Sequence, residues 1–281
     1  MHLQFGVIAL QLLPLLRIAS ASDSNLIGKA STLIKWFKAK GGYVNPKIQL
    51  RSVTTENGHD SSLSRLGFFA GEDIEKGETL IHAPKDLTIG RGKGDHDESS
   101  YTYCDTSRLL AKEMRLQNET EFALYIDYLQ NEPGLNPPTG WTTMGKALLL
   151  RRLGALNDWL ETDWHKLCDG SHDPVEKRAA LLVGSYAWRG DLMVPAYDFM
   201  RYQNNGLLNT KASFKRRNQI VIVEASQDIF TGQELYRSLQ SQGDYTDTFD
   251  IFGDLGIVED FPRNFLYERW FLLMCNSEQR V

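Results

Sequence analysis

The sequence predicts an α+β fold, with short β-strands towards both ends of the chain and a block of helices between them. Two glycine-punctuated stretches, residues 65–84 and 207–236, read as strand, turn, strand. Between them, residues 106–188 place apolar side chains three and four apart, the spacing of amphipathic helices. With 42% hydrophobic residues in 281, the chain can bury a substantial core and is not a disordered polymer.

In chain order, residues 1–21 read as a cleaved signal peptide. Residues 3–16 are almost continuously apolar, and Ala19-Ser20-Ala21 offers the small side chains that a signal peptidase accepts. The run is too short, and Arg17 too close, for a membrane span, so no stable span is expected after cleavage. The expected location is the secretory pathway or the cell exterior, with an uncleaved anchor or a plastid-type bipartite leader as the alternatives. Asn118-Glu119-Thr120 is a glycosylation sequon consistent with the secretory route.

Residues 25–40 form a helix carrying Leu26, Ile27, Ala30, Leu33, Ile34 and Phe37 on one face and stopped by Gly41-Gly42. Residues 43–53 alternate like one edge strand, and residues 54–62 read as a surface loop. Residues 65–84 pair across a turn in which Gly77 supplies the positive φ. The polar, glycine-rich stretch 90–103 reads as a loop. Leu109, Leu110 and Met114 share one helix face, and residues 121–129 make the next helix, ended by Asn131-Glu132-Pro133-Gly134. Further helical stretches cover 148–159, 164–168 and 174–188. The apolar run Leu192-Met193-Val194-Pro195 has strand character and delivers Asp198 and then the polar segment Arg201-Tyr202-Gln203-Asn204-Asn205-Gly206. A hairpin follows, 207–214 with 219–224, around the basic turn Lys215-Arg216-Arg217-Asn218. Residues 266–281 are an amphipathic tail.

Taken together these motifs resemble the SET-domain protein methyltransferases, in the branch of the Rubisco large-subunit lysine methyltransferase and the actin-histidine methyltransferase. Residues 65–84 match G-x-G-L-x-A-x-x-D-I-x-x-G-E-x-L-x-x-x-P, with Gly67, Asp73-Ile74 and Gly77-Glu78 in place. Val194-Pro195 and Asp198 match V-P-x-x-D-x-x-N-H, and Asp228-Ile229, Gly232 and Glu234-Leu235 match D-I-x-x-G-E-E-L. The resemblance spans residues 26–265 as one domain. It implies a SET-type β-fold of several short sheets around a threaded C-terminal segment, with a helical insert at about 106–188. It also implies S-adenosyl-L-methionine as cofactor, contacted around Arg65, Leu66, Gly67, Phe68, Arg201 and Tyr202, and a protein or peptide as substrate or partner.

The departures fall on the reactive positions. Arg65 replaces the first glycine, Ser185-Tyr186-Ala187 stands for Ser-Arg-Ala, and Arg201-Tyr202 stands for Asn-His. The family tyrosines fall at Leu239 and Leu255, and a phenylalanine at Ile257. Methyl transfer to an amine is an in-line displacement that needs the neutral amine held about 3 to 3.5 Å from the methyl carbon. Leucine can wall such a channel but cannot donate or accept a hydrogen bond. Tyr236, three residues before Leu239 on a strand, faces away, and Tyr245 is the freer stand-in. Arg201 has the groups to pair with the methionine carboxylate, and Tyr202 to stack on adenine. Two functions are therefore expected: an S-adenosylmethionine-dependent protein-lysine or histidine methyltransferase with altered motifs, or a catalytically silent SET-fold module holding a protein partner in the former substrate groove.

Other classes find little support. A net charge of -5 gives no basic footprint for nucleic acid. Cys104, Cys168 and Cys275 lack any C-x-x-C spacing, so no structural metal is expected; which thiols meet, if any, is open. No Ser/His/Asp constellation or carboxylate pair stands at a hydrolase spacing.

Overall fold

The computed structural model describes residues 21–53, 65–90, 102–131, 137–153, 158, 160–188, 192–203, 207–215, 217–237, 252–253 and 256. Helix α1, Ala21–Ala39, buries Leu26, Ala30, Leu33 and Phe37, which recur at helical spacing and seal one edge of the core. The single edge strand expected over 43–53 is instead two strands in different sheets, β1 (Tyr43–Val44) and β2 (Ile48–Val53). Buried Asn45 causes the break. Its amide donates to Glu78 Oε1 and to the Thr79 carbonyl at 2.9 Å each, while its oxygen accepts from Lys47 N–H at 2.9 Å. Side-chain bonds thus replace the ladder, and Pro46, with no N–H to give, turns the chain away.

Strand β2 pairs antiparallel with β3 (Arg65–Ala70). Strand β4 (Thr79–Pro84), entered through Gly77 at φ +86°, lies in a four-stranded antiparallel sheet of order β1-β4-β7-β6, where β6 is Thr210–Lys215 and β7 is Ile220–Ala225. A third pair, β5 (Arg201–Tyr202) with β8 (Tyr236–Arg237), is parallel. The predicted hairpin is present as β6 and β7.

The helical insert begins earlier than expected: α2 covers Thr102–Leu116, so the helix takes in the end of the predicted loop. It continues through α3 (Ala123–Asn131), α4 (Thr143–Leu153), a π-helical segment at Leu160–Leu167 and α5 (Pro174–Tyr186). Asp173 caps α5 by accepting from Val175 and Glu176 N–H at 2.9 and 3.0 Å, with Pro174 in the first turn, where no N–H is needed. A disulfide joins Cys104 on α2 to Cys168 just past the π-helical segment, 64 residues away. Arg108 reinforces that seam, donating to the Cys168 carbonyl with its guanidinium 5.9 Å above the fully buried Trp164 ring.

The run Leu192-Met193 makes isolated bridges, Trp188 with Leu192 and Ile89 with Met193, rather than a strand. Ala196 then takes φ +71°, an orientation uncommon for a residue with a Cβ, and tips Tyr197–Phe199 into a buried 3-10 turn. One hydrophobic core runs from α1 through the sheets into the insert. Among the described residues no helix is long and apolar enough to cross a membrane, and no three metal-ligating side chains gather.

Candidate functional site

The early glycine turn and the late strand end meet, although more than 150 residues separate them. Ile74 and Ile229 exchange backbone hydrogen bonds of 2.9 Å in both directions. Ala70 N–H reaches the Gln233 carbonyl at 2.8 Å, Gly232 N–H the Ala70 carbonyl at 2.7 Å, and Leu235 N–H the Phe68 carbonyl at 2.8 Å. Carboxylates lock the corners: Asp73 accepts from Thr231 N–H, and Asp228 from Lys76 N–H, both at 2.8 Å. β3 therefore has β2 on one side and residues 233–235 on the other, which fixes where its side chains point.

Arg201 and Glu234 sit at this junction. The guanidinium grips the carboxylate through Nε and Nη2, each 2.5 Å from its own oxygen, a forked pairing that only arginine can make. Glu234 is almost fully enclosed (side chain 6% exposed), whereas Arg201 keeps 24% and lies 5.5 Å above the Tyr236 ring. Asn209 ties down the strand beneath: its amide donates to the Glu234 carbonyl at 2.7 Å and its oxygen accepts from Tyr236 N–H at 2.8 Å. Burial, with Glu234 charge beside it, pushes the Tyr236 phenol above its usual range, so Tyr236 stays a neutral hydroxyl. Gly67 is required here. A Cβ at this position would lie 2.8 Å from Glu234 Oε1 and 3.1 Å from the Phe69 ring.

A second buried polar cluster lies under the first. Asp198 accepts from the Tyr125 hydroxyl and from Arg237 Nη1, the latter at 3.4 Å, with both charged side chains at most 2% exposed. Arg237 also donates to the Tyr186 carbonyl at 3.0 Å and lies 5.7 and 5.2 Å from the Tyr186 and Tyr197 rings. Burial first, then the Asp198 charge, drive the Tyr125 phenol far above its ordinary range, which keeps it a donor. Three parts of the chain are tied by this cluster: insert helices α3 and α5, the 197–199 turn, and threaded strand β8.

Leu66, Gly67 and Phe68 lie on β3, buried, and Phe68 packs edge-on against Phe199 at 5.3 Å. Arg65 starts the same strand. Arg201 is brought beside that strand through Glu234, and Tyr202 follows it on β5 opposite Arg237; both are half-buried. Leu239, Leu255, Ile257 and Tyr245 lie outside the described residues. Three polar side chains of the two clusters and the adjoining segment were not singled out by the sequence reading. Glu234 enters only as a motif letter, although it is Arg201's partner. Arg237 ends β8 and is buried against Asp198, a pairing that an arginine requires when enclosed. Gln203, 3% exposed, has an amide nitrogen with no acceptor among the described residues.

No protein-family model matches the sequence, and no curated protein matches it. Solved structures do. The SET domain of LSMT bound to lysine and AdoHcy superposes with a TM-score of 0.54 at 13% identity, covering 83% of this chain and 58% of that one. Rubisco LSMT bound to AdoMet gives 0.54 at 15% identity, and Rubisco LSMT bound to sinefungin and monomethyllysine gives 0.55 at 14%; each covers 83% of this chain. The chain spans about 57% of the length of those two structures. The superposition covers the mixed helices and several small sheets of this chain, and the fold of this chain is that of a SET domain.

Proposed function

We propose that this chain is a SET-fold protein of the S-adenosylmethionine-dependent protein-lysine methyltransferase type, with a cofactor cleft between β3 and the β5/β8 pair and rebuilt catalytic positions. The observation that carries the reading is the convergence of Gly67, Glu234 and Arg201. The residues present fit the cofactor: Gln203 supplies an orphaned buried donor, and Arg201 keeps a quarter of its side chain open beside half-buried Tyr202. These groups suit a ligand with a carboxylate at one end and a purine at the other. When bound, the cofactor supplies an activated methyl group on sulfur. The chain's own part is to orient it: Gln203 and the open edge of Arg201 hold polar atoms, while Glu234 keeps Arg201 fixed.

The neighbouring solved structures carry AdoMet, AdoHcy, sinefungin, lysine or methyl-lysines, which supports the same ligand class here. Calorimetry with S-adenosylmethionine and with its demethylated product tests the reading. Saturable binding, weakened at least tenfold by Gln203→Ala, is the expected result; no heat at millimolar ligand overturns it.

A second reading is favoured by a specific pairing: the Arg201 guanidinium is already neutralised by Glu234, and Leu239 and Leu255 offer no hydrogen bond to an incoming amine. In that reading the chain is a silent module that holds a protein partner in the former substrate groove. Radiolabelled methyl transfer onto a lysine- and histidine-peptide library separates the two, since any cofactor-dependent product eliminates the silent form.

The compartment we propose is the secretory pathway. A buried disulfide closing a 64-residue separation supports it, because cytosolic thiols are held reduced. Mass spectrometry of the native N-terminus tests it: an intact Met1 refutes cleavage of the leader.

A further inference from the structure

The sequon Asn118-Glu119-Thr120 falls at an exposed corner of the helical insert. Helix α2 ends at Leu116, Gln117 turns the chain with φ +51°, and residues 115–119 are all exposed. Two leucines flanking this corner in sequence, Leu116 and Leu124, each leave 38% of their surface in water. The third sequon residue is placed differently. Thr120 is buried, its hydroxyl donating to Glu113 and accepting from Phe122 N–H at 3.1 Å.

We infer that Asn118 carries an N-linked oligosaccharide, an inference that rests on the secretory reading above. Three observations bear on this corner and the two helices it joins. The acceptor asparagine is exposed, as are the residues on either side of it, which a surface sequon requires. The same helix carries Cys104, whose disulfide forms in the oxidising lumen where glycosyl transfer takes place. The flanking leucines give the proximal sugars an apolar surface to cover. In the transfer, the Asn118 amide nitrogen bonds to C1 of a polyprenyl-diphosphate-linked oligosaccharide. The C1–O bond breaks, the diphosphate leaves with its electron pair, and the amide gives up one proton; nothing is oxidised or reduced. Transfer precedes folding, so the Thr120 hydroxyl is free to assist it and afterwards closes onto Glu113.

The test is secretion of the full chain from a eukaryotic host, with glycosidase digestion in heavy-oxygen water and non-reducing peptide mapping on the same sample. The expected result is a single glycan removed by the glycosidase and marked by labelled aspartate at position 118. Asn118→Gln abolishes it, whereas Thr120→Ser, which keeps both hydroxyl and sequon, retains it. A chain with the Cys104–Cys168 bond formed and Asn118 bare overturns this inference alone. A chain with neither overturns the secretory reading and the glycan with it.

Discussion

Asp198→Ala is the most revealing single perturbation, because it strips the anion from a cluster that water does not reach. Arg237, 2% exposed, would be left as a buried cation bonded to the Tyr186 carbonyl, a neutral acceptor. Removing one partner of a buried ion pair costs about 3 to 5 kcal/mol. The Tyr125 hydroxyl also loses its acceptor, a deficit of about 1 to 3 kcal/mol that overlaps the first because both groups share Asp198. A net loss of about 4 kcal/mol follows, against a total stability of roughly 5 to 15 kcal/mol for a folded domain. At about 2 to 4 °C per kcal/mol for a chain of this size, thermal unfolding followed by circular dichroism should drop by about 8 to 16 °C. Tyr125→Phe removes the donor alone and should cost less than half as much. Replacing both charges, Asp198→Leu with Arg237→Met, should recover most of the loss, since no charge is then stranded. A drop of less than about 1 kcal/mol in Asp198→Ala would show that the cluster does not hold the insert to the sheets.

Opening the disulfide by Cys104→Ala should lower stability by about 4 kcal/mol, the chain-entropy figure for a loop of this length, measured by urea unfolding of oxidised wild type against the variant. Gly67→Ala should cost about 1 to 3 kcal/mol, because Glu234 Oε1 cannot withdraw while Arg201 holds it; combined with Glu234→Ala the two losses should be clearly less than additive. Glu78 has its carboxyl held below the usual 4.5 by the Lys47 ammonium and the Asn45 amide. Its depressed value means that the stability it confers is complete above the unfolded carboxyl's range and is lost as pH falls through the folded value. Glu78→Gln should therefore flatten part of the acid limb of melting temperature against pH; an unchanged limb refutes the assignment.

Local sequence signals decided the elements whose causes are local. The face of α1, the turn at Gly77 and the β6/β7 hairpin follow from side-chain period and backbone freedom within a few residues. Residues 43–53 looked like one strand because alternation continues through Asn45. What divides it is a hydrogen bond to Glu78, 33 positions on, which no window of sequence contains. Pairing among the cysteines was undecidable for the same reason, since it depends on how α2 meets the π-helical segment. At the candidate site, the glycine strand and the Asp-Ile strand end were both legible as motifs, and their meeting followed from the resemblance. Arg201 was readable as a group able to pair with a carboxylate, but not as Glu234's partner: 33 positions along the chain separate the two.

The parallel seating of β8 beside β5 has a consequence for how the protein is made. β3 lacks its second neighbour, and β5 the one it has among the described residues, until residues 233–237 have left the ribosome. A nascent chain ending at α5 already has its helices and the β2/β3 pair, yet nothing to cover the second edge of β3. Contacts so distant in sequence form slowly, and an open strand edge invites pairing with other chains during the wait. Synthesis and assembly are thus separated in time, and holdases that shield β-edges should be found on the incomplete polypeptide and absent from the finished one; equal capture of both would argue against this order of events.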